Sequence, residues 1–103
     1  MTATFDVIAE PNRRRILDLL LIRERAVGEL VTELAASQPA VSRHLRVLRD
    51  AGLVEVRPDA QRRVYRLRPE PLHAIDDWLA PYRAQWSARL DDLERHLDEM
   101  ESP

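Results

Sequence analysis

The sequence predicts a mainly α-helical fold closed by one small β-hairpin, and three observations carry that prediction. Apolar residues recur at helical spacing in several separate segments, two β-rich runs follow one another at residues 53–57 and 63–67, and the 103 residues include only 2 Gly. Hydrophobic residues make up 45% of the chain and charged residues 33%, a composition that can bury a core and is neither disordered nor fibrous. The length matches one domain, expected over 1–103.

The segment from Thr4 to Ala9 reads as a short helix that ends before Pro11, because proline suits a helix's first turn and not its interior. A second helix starts at Pro11, with Ile16, Leu17, Leu20 and Leu21 as its apolar face and Arg13, Arg14 and Arg15 on its first turn and opposite side. Residues 23–26 read as a loop. A third helix over 27–35 carries Val27, Leu30, Val31 and Leu34 at i, i+3, i+4 and i+7. Ser37 and Pro39 mark the next start, where a serine oxygen accepts an orphan backbone N–H and proline gives up no internal bond. The fourth helix runs to about Ala51. It buries Val41, Leu45 and Leu48, turns Pro39, Ser42, Arg43 and Arg46 to solvent, and ends on Gly52 as a left-handed cap.

Residues 58–62 separate the two β-rich runs and read as an exposed hairpin tip. From Pro71 the chain is helical again, with Leu72, Ile75, Leu79, Tyr82, Trp86, Leu90, Leu93, Leu97 and Met100 spaced by threes and fours. Such a stripe is longer than one short helix needs to sit on a small domain, so it predicts a seam between two copies of the chain. Pro81 lies inside the pattern and is expected to kink the helix or split it. Residues 1–3 and 101–103 read as frayed.

Composition also excludes function classes. The absence of cysteine removes disulfides, thiolate metal ligands and thiol redox sensing. The longest apolar run, Leu19–Ile22, falls far short of the roughly 20 residues a membrane span needs, and the start lacks a secretion-signal layout. We therefore expect a cytoplasmic protein with no membrane partner. No nucleophile has a plausible base and orienter, and no glycine-rich phosphate loop exists, so an enzyme is not expected.

Charge placement is more telling than the formal net charge of −2. Residues 1–69 hold 13 Arg against 9 acids, whereas residues 70–103 hold 3 Arg against 9 acids. Between Arg43 and Arg68 there are 8 Arg and 3 acids, which would supply a sequence-independent attraction to phosphates. Three helices, a helix with an arginine-rich outer face and a hairpin with arginines at its tip form the order of a winged helix-turn-helix. In that arrangement one helix enters the DNA major groove and the hairpin tracks the backbone or the minor groove.

The run from Ser37 to Glu55 (SQPAVSRHLRVLRDAGLVE) resembles the recognition-helix signature of ArsR/SmtB-type bacterial repressors. Residues 10–20 (EPNRRRILDLL) resemble the same family's second-helix opening, and residues 62–65 (RRVY) its returning wing strand. The resemblance covers roughly residues 4–68. It implies a homodimer that binds operator DNA through the winged helix and pairs through its first and last helices. On this reading Ser37, Gln38, Pro39, Ser42, Arg43, Arg46, Arg62 and Arg63 form the double-stranded DNA surface. Gln38, Ser42 and Arg43 read bases, Arg46 touches a base or phosphate, and Arg62 and Arg63 reach the minor groove or backbone. The expected operator is two-fold symmetric, with half-sites about 10 bp or a multiple apart. Phe5 and Ile8 join Leu72, Ile75, Leu79, Tyr82, Trp86, Leu90, Leu93 and Leu97 in the dimer interface.

The family's metal sites transfer poorly. Where many members carry Cys-x-Cys, this chain has residues 30–34 (LVTEL). Of the last-helix pattern only His96 and Glu99 match, the first half falling on Arg83 and Gln85, and zinc needs three or four well-placed ligands. His96 and Glu99 therefore read as a solvated face. No metal site and no cofactor are assigned, and Trp78, Pro81, Tyr82, Arg83 and Trp86 resemble the metal-free subgroup. The tip residues Asp59, Ala60 and Gln61 depart from the family's glycine turn. His73, Asp76 and Asp77 read as charges near a helix start, and His44 as a packing or phosphate contact. Three alternatives stay open: a winged-helix protein–protein interaction module, a repressor responding to metal at a non-cysteine site on the last helix, and a small-molecule effector bound around Trp78, Tyr82 and Trp86.

Overall fold

A computed structural model describes residues 2–101, with side chains from residue 4. Met1, Ser102 and Pro103, expected to fray, lie outside the described residues. The order is α1 (Thr2–Ile8), α2 (Pro11–Ile22), β1 (Arg25–Ala26), α3 (Val27–Leu34), α4 (Gln38–Asp50), β2 (Val54–Asp59), β3 (Arg62–Leu67), a 3-10 turn (Glu70–Leu72) and α5 (His73–Glu101). Thr2, Ala3 and Glu101, expected to fray, are helical.

Local chemistry sets the boundaries. Glu10 caps α2 by accepting from the Arg13 N–H at 2.9 Å, and Pro11 occupies the first turn. The arginines that follow secure α1: Arg13 Nε donates to the Val7 carbonyl at 2.6 Å and an Arg14 Nη to the Ile8 carbonyl at 2.7 Å, satisfying a helix end that has no internal partners. Arg15 donates to the Glu33 carbonyl at 3.3 Å. Ser37 caps α4 by accepting from the Ala40 N–H at 3.3 Å. Gly52, at φ 76°, ends that helix as expected, with the Leu53 N–H donating to the Leu48 carbonyl at 2.9 Å.

The core lies under α4, where Val41, Leu45 and Leu48 meet Ile16, Leu30, Leu53 and Val54 with almost no exposure. Leu21 is a correction: it is 73% exposed, while Leu19 is half-buried against the core. The α2 face is centred on Ile16, Leu17 and Leu20.

A second correction concerns residues 23–26, which were expected to be a loop. Arg25 and Ala26 form a short strand pairing antiparallel with Tyr65 and Val64, so the sheet has three strands in the order β1-β3-β2. Two residues carry no periodicity, and a strand beginning with Arg gives no β signal. Arg25 is nonetheless buried, its Nε donating to the Leu19 carbonyl at 3.1 Å. The β2–β3 register runs from Val54 opposite Leu67 to Asp59 opposite Arg62. The turn is therefore only Ala60 and Gln61, shorter than the tip expected over 58–62, and Ala60 takes φ 56°.

The last helix was expected to kink or split at Pro81; it runs unsplit from His73 to Glu101 with Pro81 inside. Leu72, Ile75 and Leu79 are half-buried near its start. None of its residues is fully buried, and the apolar side chains from Tyr82 to Met100 are exposed.

Candidate nucleic-acid interface

The helical period fixes what α4 shows to solvent. With Val41, Leu45 and Leu48 turned inward, Gln38, Pro39, Ser42, Arg43 and Arg46 lie exposed on its outer face, and Ser37 is exposed at its cap. Ser42, Arg46, Arg49 and Asp50 of α4 and Arg63 and Tyr65 of β3 line a cleft of about 420 Å³. The helix and the hairpin thus present one continuous surface.

Arg49 and Tyr65 were absent from the sequence-based set, although the signal was available. Arg49 follows Arg46 by three residues and Ser42 by seven, which keeps it on the same helical face, and Tyr65 shares a strand face with Arg63.

The arginines divide into two groups. Arg57 pairs with Glu24 at 2.8 Å, Arg66 with Glu55, and Arg68 with Glu55 at 3.2 Å and Glu70 at 3.7 Å. Arg62, expected at the DNA surface, lies 3.2 Å from Asp59 and 3.9 Å from Glu29. By contrast, Arg43, Arg46, Arg49 and Arg63 make no ion pair among the described residues. The positive charge of residues 43–68 is therefore concentrated where α4 meets the hairpin and largely neutralised elsewhere.

Glu24 of the α2–α3 connection and Glu29 of α3 reach the hairpin through Arg57 and Arg62. The Glu24 carboxylate raises the pKa of Arg57 above its ordinary value, chiefly through their hydrogen bond. Glu29 is held below the usual carboxylate value first by its hydrogen bond from Arg23 and then by the Ala26 N–H. Arg23, Glu24 and Arg57 are exposed and Glu29 is only half-buried, so the pairs steer geometry more than they add stability.

His44 is half-buried, with Nε2 3.8 Å from Glu10, in keeping with a packing role. His73, Asp76 and Asp77 bring ligand atoms within 4.8 Å of one another at an exposed place, but Asp76 already pairs with Arg83 at 2.9 Å. His96 and Glu99 are exposed.

At the expected dimer interface, Phe5 and Ile8 are half-buried, and the Phe5 ring meets Trp78 edge-on at 5.5 Å. Trp78 stacks obliquely on Tyr82 at 5.1 Å. Tyr82, Trp86, Leu90, Leu93 and Leu97 are exposed, as is Trp78, which the expected set had omitted. Among the described residues no helix is long and apolar enough to cross a membrane.

Residues 10–56 match the sequence pattern described as bacterial regulatory protein, arsR family. The HTH-type transcriptional regulator Rv2034 of Mycobacterium tuberculosis is 46% identical over 71 residues, 69% of this chain and 66% of that protein's length. The transcriptional repressor SdpR of Bacillus subtilis is 30% identical over 79 residues, covering 77% of this chain and 88% of SdpR. The chain belongs to the ArsR family. It is also similar to the transcriptional activator HlyU of Vibrio cholerae, 42% identical over 70% of this chain and 67% of HlyU. The solved structure of HlyU superposes with a TM-score of 0.65 at 38% identity, over 79% of this chain and 89% of that one. ArsR-family proteins are DNA-binding transcriptional regulators with a winged helix-turn-helix, not enzymes. In that fold α3 and α4 are the helix-turn-helix and the β2–β3 hairpin is the wing.

Proposed function

We propose that this ArsR-family regulator is a homodimeric repressor, a single unit that binds a two-fold symmetric operator without a metal cofactor. The observation carrying this reading is the grouping of Arg46, Arg49 and Arg63 on the cleft between α4 and the wing, with Arg43 exposed on the outer face of the same helix and none of the four in an ion pair among the described residues. Guanidinium groups free of protein carboxylates are available to phosphates and to guanine edges. On this reading Ser42 and Arg43, with Gln38 and Pro39 at the helix start and Ser37 at its cap, enter the major groove. Arg46, Arg49 and Arg63 bind the flanking phosphates. Arg62 contributes only by exchanging Asp59 or Glu29 for a phosphate, which makes it the weakest member of the set.

Dimerisation is supported by the uncovered apolar stripe of α5, with Ile75 and Leu79, preceded by Leu72 of the 3-10 turn, at its shielded end and Leu90, Leu93 and Leu97 at its open end. Phe5 and Ile8 of α1 extend this surface. Repression follows the name of SdpR, and HlyU, an activator by name, gives the opposite sign. Independence from metal is supported by the absence of cysteine and by the pairing of Asp76 with Arg83.

The test is fluorescence anisotropy of a labelled duplex from upstream of the protein's own gene, at two salt concentrations, with random duplex as control and with zinc or chelator. Tight binding to the upstream duplex that weakens steeply with salt and ignores zinc is expected. Equal weak binding to both duplexes would favour the protein-interaction alternative, and release by zinc would establish a metal-responsive one.

A further inference from the structure

The wing carries two arginines beside its turn, and they are held differently. Side chains alternate faces along a strand, so Arg63 and Tyr65 look into the cleft with α4, whereas Arg62 shares the opposite face of the sheet with Val64 and Arg66. Arg57 and Asp59 lie on that same face, because the register sets them opposite Val64 and Arg62. Each guanidinium there has a carboxylate: Arg57 has Glu24, Arg66 has Glu55, and Arg62 has Asp59 and Glu29. Of these three arginines, Arg62 is the one that stands at the tip.

The turn itself builds the pairing. Ala60, at φ 56°, and Gln61 make up the whole turn, so Asp59 and Arg62 form the last opposed pair of the hairpin, and directly facing side chains are close enough to bond. One Arg62 Nη donates to the Asp59 carboxylate at 3.2 Å, and the Glu29 carboxylate lies 3.9 Å from the other Nη.

Both contacts break at little cost. The Arg62 and Asp59 side chains are 60% and 46% exposed, and exposed ion pairs are weak. Glu29 does not depend on Arg62, since it keeps Arg23 at 2.9 Å and the Ala26 N–H at 3.4 Å. A DNA phosphate meets a guanidinium with the same charge-assisted hydrogen bonds that a carboxylate makes. Carboxylate and phosphate therefore compete for one group.

We propose that Asp59 and Glu29 restrain the wing: they hold Arg62 back from the operator phosphates, so the wing grips DNA more weakly than its arginines allow. This rests on the DNA-binding reading above and adds two acidic residues that set operator affinity from within the protein. Arg62 faces away from α4, so the restraint acts at the wing and leaves Arg43, Arg46, Arg49 and Arg63 as they are. Its effect is opposite in sign to that of a supporting contact, because removing the acid strengthens binding.

The test is a double-mutant cycle on the duplex from upstream of the protein's own gene. Anisotropy compares the unmodified protein, Asp59→Asn, Arg62→Ala and the double variant, and circular dichroism checks the fold of each. Asp59→Asn is expected to tighten binding roughly 1.5- to 5-fold per wing, the range that an exposed ion pair spans. The double variant is expected to bind like Arg62→Ala, the gain having vanished with the guanidinium. Glu29→Gln, which keeps an acceptor for the Ala26 N–H, is expected to tighten binding by a smaller factor. An equal gain from Asp59→Asn with and without Arg62 would overturn the proposal and leave plain repulsion between Asp59 and DNA in its place. Unchanged or weaker binding by folded Asp59→Asn would overturn it as well. If Asp59→Asn loses the helical signal, Glu29→Gln with and without Arg62 decides by the same comparison. An unmodified protein that binds no duplex would remove the DNA-binding reading, and this inference with it.

Discussion

The winged unit and the long last helix use similar apolar residues to opposite ends. In the unit built from α1–α4 and the sheet, Leu45 and Leu48 are almost wholly enclosed by their own chain. In α5, Leu90 and Leu93 are 63% and 53% exposed, and the helix contains no fully buried residue. Heptad-like spacing alone does not distinguish the two cases; what decides is whether any element of the same chain lies opposite. The unit is enclosed by its own chain, whereas the apolar side chains of α5 from Tyr82 onward have no element of that chain over them.

The comparison can be broken with one substitution made in each region. Leu45→Ala removes a fully enclosed side chain and is expected to cost about 2–5 kcal/mol of folding stability, measured by urea denaturation. Leu93→Ala is expected to change the stability of the isolated unit by less than about 0.5 kcal/mol while weakening self-association, read by sedimentation at falling protein concentration. Equal losses of folding stability in both variants would mean that α5 is part of the unit's own core.

A second contrast lies within the basic surface. Arg43 has no carboxylate partner among the described residues and Arg57 has Glu24. Arg43→Ala is expected to cost about 1–3 kcal/mol of operator binding and to relax sequence preference if it reads a base. Arg57→Ala should change operator affinity by less than about 0.5 kcal/mol. Anisotropy titrations on operator and scrambled duplex check both. Ser37→Ala removes the cap of α4 and should cost about 1 kcal/mol of stability in thermal denaturation.

The smallest expected effect concerns pH. Glu29 has its pKa lowered by Arg23 and the Ala26 N–H, so its contribution to stability is present above the ordinary carboxylate range and is lost as pH falls through its depressed value. Glu29→Gln should therefore lower the denaturation midpoint slightly at neutral pH and leave it unchanged once carboxylates are protonated.

The helices and the hairpin were legible because each carries its own local signal. Ser37, Pro39 and Gly52 bracket α4, and its buried seam follows directly from the helical period. The features that escaped are non-local. Arg25 and Ala26 become a strand only because Tyr65 and Val64 lie beside them, and Leu19 displaces Leu21 from the core through the way α2 settles on its neighbours. The same holds for the candidate site. Ser42, Arg43 and Arg46 on the outer face follow from periodicity, but the pairing of Arg57 with Glu24 spans 33 residues and could not be read along the chain. Which arginines remain available is thus set by tertiary structure, while their abundance is set by sequence. The wing turn is a further departure, since Ala60 adopts φ 56° where glycine would do so at lower cost.

The most direct test of a self-contained DNA surface joined to a partner-dependent α5 is the sedimented mass of the unmodified protein and of Leu93→Glu, each alone and with one operator duplex. The account predicts a dimer that binds one duplex, and a variant that is monomeric, keeps its helical circular dichroism and binds the same duplex far more weakly. An unmodified protein that is monomeric and binds the duplex as a single copy would contradict it.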